Sequence, residues 1–562
     1  MFGFTIIYND INNFVFEHNH KLVYDSEKSK KRYSFFYKQN NTFINDKIFA
    51  ENNDFIFGID GVILNLDSIK KAHSIFNNDE LFLNLIKKNK ASFFSEFKGD
   101  FCGFVFNKES EELNVFTNKT GTKKVFYCKL AEQFIISHSI SSIVEFKNSF
   151  NYTNNLNINA AYQMLTFGGM IENNTLVNDL FKLNAGECIF IKDDFYSIKK
   201  YHDFNNIEVN INDKNIAINR LEDIFIENIK LEYEKDKSSL YEHLATLSGG
   251  LDSRMNIVNA NNLGYKPHNF CFSQSKYLDE QISRKISNDY KNEYSFIPLD
   301  KGNYVFDIQE NTNAYEGLIF YVASAHFNYA LNNLNISKYG IIHTGQIGDA
   351  VLGGFVSNEK EKPNYYSKVI SNKLINRLSE INIKNYSSEE TFKIYNRLFN
   401  VIVSGSYIAE AHGKYLISPF LDAYFIELCL SFDYSLKKDS KIYIEWINKR
   451  HKDVANYKWE KTGFKPNANW KSDFSRYTNK AKNVYCKLLN RKDKTSMNPY
   501  DYWYANNNKI PAFFDEIFDE NINLISDSTL KSDIKMLFST GNTIEKTMVL
   551  TLLFALKKFN IK

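Results

Sequence analysis

The segment that most constrains the fold of this chain is the octapeptide Leu-Ser-Gly-Gly-Leu-Asp-Ser-Arg at residues 247–254. It lies between a short apolar run at residues 240–247 and a predicted helix at residues 252–263, which Gly264 ends. A Ser/Gly turn at the start of a helix directs several backbone N–H groups and the positive end of the helix dipole to one point. The segment therefore predicts a phosphate-binding loop between a strand and a helix. The structural alternative is a Gly-Gly turn with Asp252 as a helix cap.

The composition of this loop distinguishes it from a Walker A loop. It lacks the Gly-Lys-Ser/Thr ending of that loop. The lysine of a Walker A loop contacts the β- and γ-phosphates and assists cleavage of the bond between them. An aspartate inside the loop, Asp252, instead suits a Mg²⁺ ion held against departing pyrophosphate. The string S-G-G-x-D-S resembles the pyrophosphate-binding loop of ATP pyrophosphatase-type enzymes, with Ser248, Gly249, Gly250, Asp252 and Ser253 in frame.

Length and composition predict a globular protein with ample core. The 562 residues indicate more than one domain, and they are 43% hydrophobic and 24% charged. The formal charge of +3 is small for this length and favours neither a nucleic-acid partner nor a membrane surface. The six cysteines show no paired spacing, so they indicate neither disulfides nor a cysteine zinc site. With no secretory pattern at the N-terminus and no apolar run long enough to span a bilayer, we expect a cytoplasmic protein.

The apolar pattern changes near residue 205. Before it, short runs predict antiparallel strands and two helices, with strands at residues 4–8, 55–59, 101–106, 112–117, 125–128, 133–137 and 187–192 and helices at residues 79–88 and 159–165. After it, long helices alternate with short strands, which predicts a parallel sheet with strands at residues 244–247, 268–273, 294–299 and 340–344. Beyond residue 365 the pattern is mainly helical, and Asn542 with Glu545 predicts a capping box at the last helix. We expect two domains, residues 1–205 and 206–562.

Further strings occur in a fixed order around the loop. In the second region, residues 344–349 (Thr-Gly-Gln-Ile-Gly-Asp), 418–422 (Ser-Pro-Phe-Leu-Asp) and 461–464 (Lys-Thr-Gly-Phe) resemble S-G-E-G-A-D, P-F-L-D and K-x-G-F. In the first region, residues 97–104, 118–127 and 183–187 resemble L-D-G-x-F-A-F, D-R-x-G-x-K-P-L-Y-Y and L-x-P-G-x. All of these belong to the asparagine synthase family, which the chain resembles over most of its length.

This resemblance implies a mixed α/β and α+β architecture of two domains. The first would be an Ntn-type, class II glutamine amidotransferase-like antiparallel sandwich. The second would be an adenine-nucleotide α-hydrolase (PP-loop) domain with a parallel sheet and a helical C-terminal region. The family activates a carboxylate by attack on the α-phosphate of ATP, which releases pyrophosphate, and an amine then displaces AMP. ATP and Mg²⁺ are the implied cofactors.

The resemblance also implies roles for particular residues. Asp252 and Asp349 would carry Mg²⁺, which prefers carboxylate and phosphate oxygens, and Lys461 would supply positive charge to the transition state. The structural alternatives are a helix cap for Asp349 and a solvated surface lysine for Lys461. The nucleotide would contact a larger set: Thr246, Ser248, Gly249, Gly250, Asp252, Ser253, Phe272, Thr344 and Gly345.

Two departures from the family concern glutamine. The family's catalytic cysteine directly follows the initiator methionine, where this chain has Phe2, and a phenyl ring cannot act as a nucleophile. The family's glutamine-binding N-G-E is replaced by Asp60-Gly61-Val62, which removes the amide and the carboxylate that hold the substrate. We therefore expect the first domain to be inactive in glutamine hydrolysis, as in the β-lactam synthetases and lasso-peptide cyclases of the family.

A third departure concerns the amine. Gln346 stands where the signature has a glutamate thought to act as base on incoming ammonia, and a carboxamide does not take up a proton at neutral pH. Acidic residues that could replace it are Asp279, Glu280 and Glu316. For the first two, which begin a predicted helix, helix capping is the alternative.

Three functions follow from these observations. The preferred hypothesis is an ATP-dependent, AMP-forming amide ligase without glutaminase activity. Its substrates would be a small-molecule, peptide or sugar-acid carboxylate and an amine or ammonia, with no nucleic-acid or membrane partner. The second is a genuine asparagine synthase, and the third is a nucleotide-binding pseudoenzyme that acts as a partner or regulator. The oligomeric state is left open, with a homodimer as one option, and the sequence does not identify the carboxylate.

Overall fold

The computed structural model describes residues 2–17, 19–89, 92–193, 195–356, 366, 369–379, 385–466 and 496–562. Within these residues no helix combines the length and the apolar character needed to cross a membrane.

The first part of the chain forms two six-stranded antiparallel sheets that pack face to face. One sheet has the strand order β10-β8-β9-β1-β3-β2 and the other β12-β11-β7-β6-β5-β4. The strands are β1 Gly3–Tyr8, β2 His20–Asp25, β3 Arg32–Lys38, β4 Ile48–Glu51, β5 Phe55–Ile63, β6 Gly99–Asn107, β7 Glu112–Thr117, β8 Phe126–Leu130, β9 Gln133–Ser137, β10 Leu180–Lys182, β11 Glu187–Lys192 and β12 Phe195–Lys200. Alternate side chains from each sheet, such as Phe35 and Phe104, meet in one buried cluster between them.

Helices cover both outer faces of this sandwich. Helices α1 (Leu66–His73) and α2 (Asn78–Asn89) pack on the second sheet. Helices α3 (Ile140–Ser149) and α4 (Ile158–Phe167) pack on the first sheet. The result is a four-layered arrangement in which each sheet is buried on both faces.

The second part of the chain is built around a five-stranded parallel sheet. Its strand order is β15-β14-β13-β16-β17, with β13 Glu242–Thr246, β14 His268–Ser273, β15 Tyr294–Pro298, β16 Tyr339–His343 and β17 Tyr415–Ile417. Leu244 and Ala245, neighbours on β13, enter two different hydrophobic clusters, because successive residues of a strand face opposite sides of the sheet. Both faces are therefore covered by helices, as a parallel sheet requires.

Helices make up most of the remaining described chain. They are α5 Lys214–Ser238, α6 Leu251–Asn262, α7 Leu278–Asp289, α8 Ile308–Tyr315, α9 Ala325–Asn332, α10 Glu389–Lys393, α11 Ser404–Ala411, α12 Ala423–Leu430, α13 Tyr434–Lys437, α14 Lys441–Arg450, α15 Lys452–Ala455, α16 Tyr500–Asn506, α17 Lys509–Asn521, α18 Ser528–Thr540 and α19 Thr543–Lys558. The capping box predicted for the last helix is present, since the Asn542 side chain accepts from Glu545 N–H and the Glu545 side chain accepts from Asn542 N–H.

The two parts share one core. A single buried cluster contains Met164 and Leu165 of α4, Leu244 of β13, and Leu553 and Leu556 of α19. Burial of this apolar surface joins the sandwich to the helices at the end of the chain.

The expected fold class is confirmed: an antiparallel sandwich precedes a parallel sheet that is covered by helices. The strand prediction was incomplete, because the six strands β2, β3, β4, β10, β12 and β17 were not anticipated. Strand β12 is exposed along its length and β10 has three residues, so neither leaves a strong apolar pattern.

Candidate functional site

The predicted site residues meet in one cleft at the carboxyl ends of β13, β14 and β16. This edge is where open parallel sheets bind ligands. The cleft has a volume of about 580 Å³. Its lining contains every residue assigned to catalysis or nucleotide binding from the sequence except Gly249, namely Thr246, Ser248, Gly250, Asp252, Ser253, Phe272, Thr344, Gly345, Asp349 and Lys461.

The loop after β13 is held in shape by its own serines. Ser248 N–H donates to Ser253 Oγ at 3.0 Å, and Gly250 N–H donates to Ser248 Oγ at 3.1 Å. Gly250 precedes the first residue of α6, Leu251, so the N–H groups of the first helical turn open at the cleft. The loop therefore presents a helix N-terminus and two hydroxyl groups to one space.

Gly249 lies on the far side of this loop. Its N–H donates to Asp279 Oδ1 at 2.7 Å, and a Cβ at this position would lie 2.8 Å from Glu460 Cβ. Burial raises the pKa of both Asp279 and Glu460. Asp279 thus fixes the loop from the first turn of α7, and the Gly249 N–H can reach a ligand only if Asp279 releases it.

Two acidic side chains approach each other at the centre of the cleft. Asp252 Oδ2 accepts from the backbone N–H of Asp349 at 2.9 Å, and Asp252 Oδ1 accepts from Tyr443 Oη–H at 2.7 Å. Burial, together with the facing carboxylate of Asp349, raises the pKa of Asp252 to about 7. Asp252 is half-buried and Asp349 is exposed at the same cleft. Their two carboxylates repel each other, and a divalent cation bound between them would relieve that repulsion.

Two glycines permit this approach. A Cβ on Gly345 would lie 2.1 Å from the Asp252 carbonyl carbon, and one on Gly348 would lie 2.8 Å from Asp252 Cγ. The loop after β16 can therefore press against the first turn of α6 only with glycine at both positions. Asp349 precedes a helical segment, yet its side chain makes no capping hydrogen bond there. This result removes the main support for the helix-cap interpretation of Asp349.

Lys461 reaches the cleft from a loop after α15. Its Nζ lies 5.5 Å from the centre of the Trp459 ring, and both side chains line the cleft. The fully buried Arg254 connects this loop to the serine-glycine loop after β13. Its guanidinium donates to Gly249 O at 2.8 Å and to Lys458 O at 2.6 Å.

Gln346 also lines the cleft, and its Nε2 is buried without a hydrogen-bond partner among the described residues. Its backbone is fixed, since Gln346 O accepts from Ser418 Oγ at 3.0 Å. The next residue, Ile347, has φ of 72°, a left-handed conformation that is costly for a β-branched residue. The side-chain amide of Gln346, next to this strained residue, therefore lies at the cleft with an N–H group that is free to donate.

The acidic residues suggested as replacements for a base lie elsewhere. Glu316 accepts from Ser139 Oγ and Ser141 N–H at the start of α3, so it joins the two parts of the chain. Glu280 accepts from Arg284 and from Lys276 N–H. None of Asp279, Glu280 and Glu316 lines the cleft.

Sequence reasoning missed the roles of Tyr443 and Arg254. Nothing in the local sequence marks Tyr443, and Arg254 ends the loop octapeptide but was assigned no role. Tyr443 lies 191 residues from Asp252, and Arg254 contacts a loop about 200 residues away. Asp279 had been considered only as a base or a cap, and its bond to the loop amide was not anticipated.

We predict that Tyr443→Phe moves the pH dependence of Mg²⁺ binding upward by about half a pH unit. The Tyr443 hydrogen bond lowers the pKa of Asp252, so its loss keeps the carboxyl protonated to higher pH. A metal ligand must be deprotonated. Titration of the protein with Mn²⁺ between about pH 6 and pH 9 measures the shift. The control is Tyr457→Phe, whose hydroxyl binds Asp289 instead, and equal profiles for the two variants would contradict the prediction.

In the sandwich, the place of the family's glutamine motif holds buried ion pairs. Lys123 Nζ lies 2.9 Å from Asp60 Oδ2 and 2.7 Å from Glu410 Oε1, and Tyr37 Oη–H donates to Asp60 Oδ1. Glu410 belongs to α11, so these pairs join the sandwich to the second part of the chain. Both carboxylate oxygens of Asp60 are therefore already bound by side chains of this protein, Lys123 and Tyr37.

The described cysteines are all buried, which disfavours the thiolate. Burial raises the pKa of Cys128 and Cys188 to about 11 and that of Cys271 to about 12. It also raises the pKa of Cys102 and Cys429. A cysteine nucleophile instead needs a lowered pKa and access to substrate.

Comparison with known proteins finds a distant sequence relative. No family model matches the chain. Over 322 residues it is 23% identical to a Methanocaldococcus jannaschii protein that bears the name of a glutamine-hydrolysing asparagine synthetase. The match covers 54% of this chain and 60% of that protein, so the chain spans less than two thirds of the relative's length.

Two solved structures overlap part of the chain. Glutamine phosphoribosylpyrophosphate amidotransferase from B. subtilis, complexed with ADP and GMP, has 10% identity and a TM-score of 0.23, over 53% of this chain and 85% of that chain. A structure titled as the allosteric regulatory enzyme of purine biosynthesis has 11% identity and a TM-score of 0.23, over 52% of this chain and 74% of that chain. The fold assignment above rests on strand order and packing.

Proposed function

We propose that the protein is an ATP-dependent ligase that adenylates a carboxylate and transfers the acyl group to an amine or ammonia, without hydrolysing glutamine. One observation carries this proposal. The serine-glycine loop, the two carboxylates of Asp252 and Asp349 and the Lys461 ammonium, taken from distant parts of the sequence, line a single cleft.

In the proposed first step, a substrate carboxylate oxygen bonds to the α-phosphorus of ATP. The bond between that phosphorus and the α–β bridging oxygen breaks, and its electron pair leaves with pyrophosphate. Ser248, Ser253 and the first-turn amides of α6 would bind the leaving group. Lys461 would stabilise charge that develops on the phosphorus oxygens.

Asp252 and Asp349 fit a Mg²⁺ ion by their chemistry, since both present carboxylate oxygens to the cleft. When bound, Mg²⁺ supplies charge neutralisation for the phosphates. The raised pKa of Asp252 means that metal binding would release a proton near neutral pH.

In the proposed second step, an amine attacks the acyl carbon, AMP departs and the amine loses a proton. The buried Gln346 Nε2 can donate a hydrogen bond to an acyl or carboxylate oxygen, but it cannot accept this proton. The AMP phosphate or solvent would therefore receive it.

The proposal of no glutaminase activity is supported by the buried state of the described cysteines. The ion pairs of Asp60 with Lys123 further oppose glutamine binding there. The name of the M. jannaschii relative favours aspartate as one candidate carboxylate, which makes an ammonia-dependent asparagine synthase the second candidate function.

A product assay tests the proposal. The protein is incubated with ATP, Mg²⁺, ammonia and a panel of acids that includes aspartate, sugar acids and peptides. We expect AMP and pyrophosphate in equal amounts with at least one acid, and no glutamate when glutamine is the nitrogen source. Formation of ADP and phosphate, or release of glutamate, would contradict it. Amide formation specific to aspartate would establish the second candidate.

A further inference from the structure

Four titratable side chains meet on the α5 side of the parallel sheet, away from the cleft. Glu232 and Asp236 lie one helical turn apart on α5, His243 lies on β13, and His343 lies at the end of β16. His343 directly precedes Thr344 and the loop that reaches Asp252. Glu232, Asp236 and His343 are fully buried, whereas the His243 side chain is 14% exposed.

Three of these side chains converge on one point. His343 Nε2 lies 2.9 Å from Asp236 Oδ2, and His243 Nδ1 lies 3.4 Å from the same oxygen. One ligand atom from each of the three residues lies within 4.8 Å of the other two. Zinc bound to imidazole nitrogen and carboxylate oxygen at about 2.0–2.2 Å requires ligand atoms about 3–3.5 Å apart. Both contacts to Asp236 are close to that spacing, and the two histidine nitrogens, which lie within 4.8 Å of each other, would move toward it when a metal binds.

The fourth side chain completes the pattern. Glu232 Oε2 lies 3.4 Å from the other ring nitrogen of His343, Nδ1. Histidines that bind metals usually donate their second N–H to a carboxylate, which fixes the ring and its tautomer. The Tyr233 ring also stacks on His343 with centroids 3.8 Å apart. Ile341 N–H donates to Asp236 Oδ1 and orients that carboxylate.

His343 faces a carboxylate at each ring nitrogen, although a neutral imidazole has only one N–H. Three arrangements satisfy both contacts: protonation of the ring, protonation of Glu232, whose pKa burial raises to about 7, or a metal ion between Nε2 and Asp236. A divalent cation would balance the charges of Glu232 and Asp236 with both histidines neutral. A protonated His343 would balance one of the two negative charges, and the nearby Lys414 interacts with Asp236.

We propose that His243 Nδ1, His343 Nε2 and Asp236 Oδ2 bind a divalent transition-metal ion of the zinc class, with Glu232 accepting from His343 Nδ1. The partial exposure of His243 provides an entry path and room for water as a fourth ligand. This ion would join α5 to β13 and β16, the two strands that carry the cleft loops. Its role would be structural, and the site is separate from Asp252 and Asp349.

Metal analysis tests this site on the full-length protein. Protein purified without chelator is expected to contain about one zinc per chain. After chelator treatment, Co²⁺ is expected to restore one equivalent with the visible absorption of a low-symmetry nitrogen and oxygen site. His243→Gln is expected to abolish both the zinc and the absorption. Circular dichroism checks that this variant, altered at a partly exposed residue, is folded.

Two controls separate this site from other binding. His268→Gln changes a histidine on the neighbouring strand β14 that binds Tyr339 and Ser295, and it should retain the metal. Asp252→Asn alters the cleft and should retain the Co²⁺ absorption. The test of this metal site therefore does not depend on whether the proposed function is correct. Wild-type protein that binds neither zinc nor Co²⁺ stoichiometrically would overturn the proposal. Equal binding by wild type and His243→Gln would also overturn it.

Discussion

Replacement of Asp252 by asparagine is expected to lower pyrophosphate release by at least about 10³-fold, equivalent to about 4 kcal/mol of transition-state stabilisation. Asparagine retains the shape. Its amide oxygen can still accept from the Asp349 N–H, and its amide NH2 can donate to the Tyr443 hydroxyl oxygen. It removes the charge that would bind Mg²⁺ between Asp252 and Asp349. Steady-state pyrophosphate release, measured with an acid found in the product assay, checks this prediction.

The same substitution is expected to stabilise the metal-free protein. Burial and Asp349 raise the pKa of Asp252 from 3.8 to about 7. Proton binding by this carboxyl therefore makes its full contribution to the free energy of unfolding only below about pH 4. That contribution is lost as the pH rises through 7. Asp252→Asn should therefore have the higher Tm at pH 8 without Mg²⁺, and the difference should narrow toward pH 4.

A control substitution on the surface separates this effect from a general loss of negative charge. Asp515 is exposed on α17, and Asp515→Asn should leave both pyrophosphate release and the pH dependence of Tm unchanged. If Asp252→Asn retained most of the activity, or if its Tm fell at pH 8, the account of the paired carboxylates would be wrong.

Lys461→Met is expected to reduce kcat by about 10²–10³-fold with a smaller change in KM for ATP, because the ammonium would act on charge that develops in the transition state. Methionine keeps an unbranched apolar chain beside Trp459, so packing in the loop is retained. Full kinetics in kcat and KM check the prediction.

The matched control is Lys465→Met, an exposed lysine of the same loop that does not line the cleft. It should behave as wild type. Equal losses in the two variants would indicate a general effect of loop charge, and an unchanged Lys461→Met would support the solvated-surface interpretation of this lysine.

The sequence predicted four of the five strands of the parallel sheet, because β13, β14, β15 and β16 are short apolar runs between helices or turns, whereas the three-residue strand β17 leaves no clear pattern. The sandwich was predicted less completely. Strand β3 contains Tyr33, Phe35, Phe36 and Tyr37, an aromatic enrichment that is typical of strands. Its buried residues face two different clusters, so the alternation of apolar and polar residues that marks a half-exposed strand is missing.

The candidate site was predictable where its residues lie in contiguous motifs, such as Asp252 in its loop and Asp349 after Gly345. It was not predictable where a single side chain reaches the motif from elsewhere. Tyr443 acts through a tertiary contact that leaves no local pattern, and Arg254 lies in the motif but its contact with Lys458 could not be read from the sequence. The histidine and carboxylate cluster behind the sheet was missed for the same reason, since Asp236 and His343 are 107 residues apart.

The most direct test of the central claim is a crystal structure of the protein with Mg²⁺ and α,β-methylene ATP, which cannot release pyrophosphate. We expect the β- and γ-phosphates at Ser248 and Ser253, Mg²⁺ in contact with Asp252 and Asp349, and the adenine end near Phe272. A nucleotide bound outside this cleft, or with its γ-phosphate turned away from the loop, would contradict the account.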